Sequence, residues 1–68
     1  MLYYFNKNVD NNGFHEVHSE ECIYVNCKNL EEIGDFENCK DAIQAARFEH
    51  PLENFDGCFF YCKECHHV

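Results

Sequence analysis

Hydroxyl nucleophiles are nearly missing from this 68-residue chain, which has one serine, Ser19, and no threonine. That scarcity removes the common serine and threonine routes to covalent catalysis. Glycine is sparse too, three residues scattered along the chain, so no Gly-rich loop is present to cradle a phosphate. Basic residues number five against thirteen acids, a net charge of −8. Binding to nucleic acid or to an anionic membrane needs a basic surface, and this chain offers the opposite. The apolar run near the start, Leu2-Tyr3-Tyr4-Phe5, is four residues long and cannot span a bilayer. No basic stretch followed by an apolar core marks an export signal. The expected compartment is therefore cytoplasmic, where thiols stay reduced rather than paired.

What the chain does have is six cysteines, five histidines, seven Phe and four Tyr. Its length allows one domain, residues 1–68. A core of this size supplies only about 3–5 kcal/mol, so small scaffolds add a staple. The cysteines and histidines are the candidates for it. The aromatics argue for an ordered core despite the acidity.

The expected fold class is α+β: two or three short antiparallel strands, one main helix and a zinc knuckle. Leu2–Asn6 reads as a strand and Asp10-Asn11-Asn12-Gly13 as a hairpin turn, with Phe14–His18 the returning strand. Cys22–Val25 reads as a third strand. Asn29–Ile33 reads as one helical turn, capped by Asn29 and ended by Gly34. Cys39–Glu49 is the clear helix. Asn38 suits its N-cap, Asp41 its first turn, and Cys39, Ala42, Ile43 and Ala46 form one apolar stripe. Pro51 stops it. Phe55-Asp56-Gly57 reads as a turn, Cys58–Tyr61 as a short apolar stretch, and Cys62–His66 as a knuckle.

Two pairs have metal-ligand spacing: His18-x3-Cys22 and Cys62-x2-Cys65. A tight turn brings two such ligands onto one ion, and two turns complete a tetrahedron, as in structural zinc sites. The expected metal ligands are His18, Cys22, Cys62 and Cys65, with Cys58 as the substitute. Cys58, Cys62, Cys65 and His66 form a rival set at one end of the chain. His15 and His18 fall three apart on a strand and so face opposite sides, which leaves only one of them for the site. The cysteines could instead be packed core thiols or a disulfide framework. Cys39, on the helix stripe, reads as packing, and Cys27 as an exposed thiol. His15 and His50 read as surface or packing residues, and His66 and His67 as solvated. The acidic stretch from Glu31 to Glu37, around Ile33 and Phe36, reads as a solvated face or a docking surface.

Phe14-His15-Glu16-Val17-His18, then Cys22, Asn38-Cys39-Lys40-Asp41-Ala42-Ile43, Asp56-Gly57-Cys58 and Cys62-Lys63-Glu64-Cys65-His66 follow one another along nearly the whole chain. In this order and length they resemble a family of short bacterial Cys/His-motif proteins. More distantly, the layout is similar to Ada-type metal-binding domains and to the Cys/His modules at the tails of some secreted nucleases. The resemblance implies His18, Cys22, Cys62 and Cys65 as ligands, and it implies a fold more than an activity.

The function expected from these readings is a small zinc-stabilised, acidic protein-interaction module, non-catalytic, with a protein partner and with neither nucleic acid nor membrane. Two alternatives stand beside it. One is a thiol-based redox or alkyl-acceptor activity, which needs a reactive thiolate. The other is an acidic inhibitor of a basic, nucleic-acid-binding partner.

Overall fold

The computed structural model describes residues 1–22, 29–58 and 62–66. It is an α+β fold. In chain order the elements are β1 (Leu2–Asn6), β2 (His15–Ser19), β3 (Leu30–Asp35), α1 (Cys39–Glu49), β4 (Phe55–Gly57) and a 3-10 turn at Lys63–Cys65. The strands make one sheet in the order β3-β1-β2-β4. β1 pairs antiparallel with β2 and with β3, whereas β4 lies parallel to β2. Among the described residues no helix is long and apolar enough to cross a membrane.

β1 and β2 form the expected hairpin, the second strand beginning one residue later than the pattern suggested. Tyr3 and Phe5 alternate into the core from β1, and Val17 meets them from β2. α1 has the expected bounds. The Asn38 side chain accepts from the Asp41 N–H at 2.9 Å, and Cys39, Ala42, Ile43 and Ala46 are all buried. His50 closes the helix by donating its N–H to the Ala46 carbonyl at 2.9 Å.

Two segments differ from the expectation. Leu30–Asp35 is a strand, not a helical turn. Asn29 has φ 70°, left-handed rather than the extended backbone that a helix N-cap adopts. Leu30 and Ile33 have helical spacing, but the free edge of β1 offers a ladder of hydrogen bonds, and pairing with it wins. An irregularity absorbs the mismatch in period: Tyr3 faces Gly34 and Tyr4 faces Glu32, so Ile33 is the extra residue of a bulge. Gly34 adopts φ 146° there, a conformation open to glycine. Ile33 and Phe36 are half-buried and pack against the core.

Phe55-Asp56-Gly57 is likewise a strand rather than a turn, pairing His15 with Phe55 and Val17 with Gly57. The Asp-Gly pair looks like turn chemistry, yet Gly57 serves a different need. A Cβ on Gly57 would lie 2.5 Å from the Cys62 carbonyl oxygen and 2.6 Å from the Cys65 Cβ. The turn of residues 62–65 thus sits directly on β4 because position 57 has no side chain. The strand expected at Cys22–Val25, the apolar stretch at Cys58–Tyr61, Cys27 and His67 fall wholly or largely outside the described residues.

Candidate metal centre

β2 delivers the first candidate donor and the turn after it delivers the second. The Cys22 N–H donates to the Ser19 carbonyl at 3.0 Å, folding the chain back on itself. This places Cys22 Sγ 3.3 Å from His18 Nδ1. The third comes through the sheet. Because β4 runs parallel to β2, the Cys58 N–H donates to the Val17 carbonyl at 2.8 Å, which carries Cys58 beside His18. Cys58 Sγ lies 3.8 Å from Cys22 Sγ, far beyond the roughly 2.05 Å of a disulfide. His18, Cys22 and Cys58 are all buried, and their three donor atoms lie within 4.8 Å of one another. The group can hold a metal ion.

Its electrostatics suit that role. Burial pushes His18 below the usual histidine range, and Glu16 pulls it partly back. His18 is therefore a neutral imidazole near pH 7, the form that ligates. Glu16 Oε1 is 3.4 Å from His18 Nε2. With the proton on Nε2, directed at this carboxylate, Nδ1 presents its lone pair to the cysteines, the way a carboxylate orients a histidine toward a metal. Glu16 and His18 stand two apart on β2 and so share one face of the sheet. The same parity puts His15 on the other face. His15 donates from Nδ1 to the Asn6 carbonyl at 2.8 Å and packs against Phe5 and Phe55, as a packing residue should.

Cys62, expected as a ligand, is fully buried but is not one of the three donors that converge here. Its N–H donates to the Cys58 carbonyl at 2.8 Å. Burial, with the Cys58 thiol beside it, pushes its thiol up to about 11, against backbone hydrogen bonds at Cys58 and Ser19 that pull the other way. Those neighbours put Cys62 between the turn that carries Cys22 and the end of β4.

Cys65 takes a different place from the one its C-x2-C spacing suggested. It is joined to Cys39 in a disulfide across 26 positions, with Cα atoms 6.5 Å apart. The reading of Cys39 as a packed thiol is corrected with it: Cys39 is buried on the helix stripe, but it is bonded. The physical reason is the seating of the 3-10 turn. The close approach at Gly57 lays residues 62–65 over β4, where Cys65 meets the first turn of α1. The expectation of wholly reduced cysteines gives way at this pair. Glu64 Oε1 lies 3.2 Å from Cys39 Sγ, which makes Cys39, Glu64 and Cys65 a second cluster of donor atoms. His66 is tied down, not solvated: Nδ1 is 3.0 Å from the Gly57 carbonyl and 2.9 Å from Asp56 Oδ2.

Of the expected donors, the structure brings His18 and Cys22 together with the substitute Cys58, whereas Cys62 lies outside that group and Cys65 is bonded to Cys39; Glu16 was not among the expected residues. The signal for Glu16 was present, since a carboxylate two positions before a ligand on a strand lies on the ligand's own face. Comparison with family models, with curated proteins and with solved structures found no match, so the chemistry is read from these side chains themselves.

Proposed function

We propose that the chain is a small zinc-stabilised, non-catalytic interaction module whose metal is held by His18, Cys22, Cys58 and Cys62. One observation carries the reading: three buried ligand atoms of the right chemistry converge at the right separations. Two sulfurs about 2.3 Å from one zinc, on a tetrahedron, lie about 3.8 Å apart, and a sulfur and an imidazole nitrogen about 3.5 Å apart. The observed separations are 3.8 Å and 3.3 Å. Cys58 takes the place first given to Cys65, and Cys62, buried beside Cys58 and the backbone of Ser19, serves as the fourth ligand in this reading. Neutral imidazole with thiolates suits zinc among the common metals. A centre with four protein ligands leaves no position open for substrate, hence the non-catalytic role. Three thiolates and one divalent ion leave the centre about one charge negative, so the metal does not offset the chain's acidity.

The partner in this reading is a basic protein surface with an apolar element. The chain carries −8, and Phe48 and Leu52 stand 88% and 98% exposed beside Glu49 and Glu53. An apolar pair with an acidic rim suits such a partner.

Elemental analysis of the purified chain, with circular dichroism before and after chelation, tests the centre. The expected result is one zinc per chain, with structure lost on chelation and restored by zinc. A metal-free chain of unchanged fold overturns the proposal. A basic amphipathic peptide as probe tests the surface. Salt-sensitive binding that is lost in Phe48→Ser/Leu52→Ser, with zinc content unchanged, supports it, and equal binding by the variant refutes it.

A further inference from the structure

Cys65, bonded to Cys39, lines a cavity of about 460 Å³ together with Lys40, Ile43, Gln44, Arg47 and Glu64. Lys40, Ile43, Gln44 and Arg47 recur at helical spacing and form one face of α1. Two of the five basic residues of a chain at −8 therefore flank one disulfide. Lys40 sits in the first turn of the helix, where the macrodipole disfavours a cation, so helix stability does not account for it. The two sulfurs are not equivalent. Cys65 lines the cavity and is 7% exposed, whereas Cys39 lies behind it, 1% exposed, at the first residue of α1.

We infer that this cavity is a thiol–disulfide exchange site for a small thiol carrying a carboxylate, with Cys65 as the sulfur attacked. The incoming thiolate bonds to Cys65 Sγ as the Cys65–Cys39 bond breaks. Cys39 leaves with the electron pair as a thiolate and then takes a proton from water. The product is a mixed disulfide on Cys65. A second thiolate attacks the outer sulfur of that bond and releases Cys65 as a thiolate. In sum, one protein disulfide and two thiols become one protein dithiol and one small disulfide, a two-electron exchange that needs no other oxidant. The order of attack follows from position: the cavity reaches Cys65, and Cys39 at a helix N-terminus makes the better leaving thiolate. Lys40 and Arg47 hold the carboxylate. The site is separate from the metal centre, and the inference does not rest on that reading.

The test is the rate of reduction of the full chain by thioglycolate, 2-mercaptoethanol and cysteamine, each corrected for its thiolate fraction. The adduct is trapped by acid quench and located by peptide mapping. A charge about 7 Å from a cation in water gains about threefold in local concentration. With Glu64 opposing one of the two cations, thioglycolate should therefore exceed 2-mercaptoethanol by about threefold, and the gap should close at about 0.5 M salt. The exposed pair Lys40→Gln/Arg47→Gln should erase the preference, slowing thioglycolate, whose reacting form carries two charges, more than 2-mercaptoethanol, whose thiolate carries one. In Cys39→Ser, mixing with the oxidised form of thioglycolate should accumulate the adduct on Cys65. Cysteamine reacting fastest, as the net charge alone would dictate, overturns the inference. So does an adduct on Cys39, or a preference that survives in the double variant. Zinc content in the same samples reports on the metal centre independently.

Discussion

Among the described residues two clusters of metal-type donors stand out, and they behave differently. His18, Cys22 and Cys58 are all buried, all nitrogen or sulfur, and spaced like the edges of a coordination tetrahedron. Cys39, Glu64 and Cys65 combine two bonded sulfurs with an exposed carboxylate at the edge of a cavity. Proximity of donors is common to both, so it does not by itself define a metal site. In the first cluster the backbone holds the sulfurs apart at ligand distance. In the second it lets them bond.

The contrast breaks most readily at Cys58. Cys58→Ser should lower zinc affinity at least a hundredfold and unfold most of the chain, because metal binding and folding are coupled in centres of this kind. Zinc titration followed by circular dichroism reads both effects, and a variant that keeps its metal would move the centre elsewhere. The second cluster should respond differently. Cys39→Ser/Cys65→Ser should keep its zinc and lose about 3–4 kcal/mol of stability, as closing a loop across 26 positions implies. Chemical denaturation measures the loss, and a fall in zinc content would show that the clusters are one site.

Glu16→Gln sharpens the first cluster further. It removes the carboxylate from His18 Nε2 without touching a ligand, and should weaken zinc about tenfold while leaving the fold intact. Competition with a chromophoric chelator reads that shift. The smallest effect concerns Tyr3, which packs in the core near both clusters. Burial first, and then the charges of Cys62, Glu64 and Glu21, raise its hydroxyl above the free value of 10.0. The folded chain thus keeps a proton that the unfolded chain gives up. That contribution is intact below pH 10 and is lost as pH climbs through the folded value. Tyr3→Phe, which cannot ionise, should lose less stability between pH 9 and 11 than the parent; equal losses would show that Tyr3 plays no part.

Local features were legible in the chain itself. The helix at Cys39–Glu49 follows from one apolar stripe and one capping Asn, both set by neighbours a few positions away. The β1–β2 hairpin follows from an Asn-Gly turn between two alternating segments. β3 and β4 run against their local signals, the first because Asn29 and Gly34 look like the cap and stop of a helical turn, the second because Asp56-Gly57 has turn chemistry. Both became strands only because the edges of a two-stranded hairpin were open to pair.

The site divides along the same line. His18 and Cys22 are joined by one short turn, so their spacing alone puts their donor atoms side by side. By itself the sequence also determined a helix with Cys39 on its buried face, and a C-terminal run rich in thiols. Which of those thiols meets His18, and which bonds to the helix, was decided only by the tertiary structure. Parallel pairing of β4 with β2 brings Cys58 to the first cluster, and the missing side chain at Gly57 seats Cys65 against Cys39. Contacts between residues so far apart in the chain depend on strand register and close packing, and no local spacing encodes either.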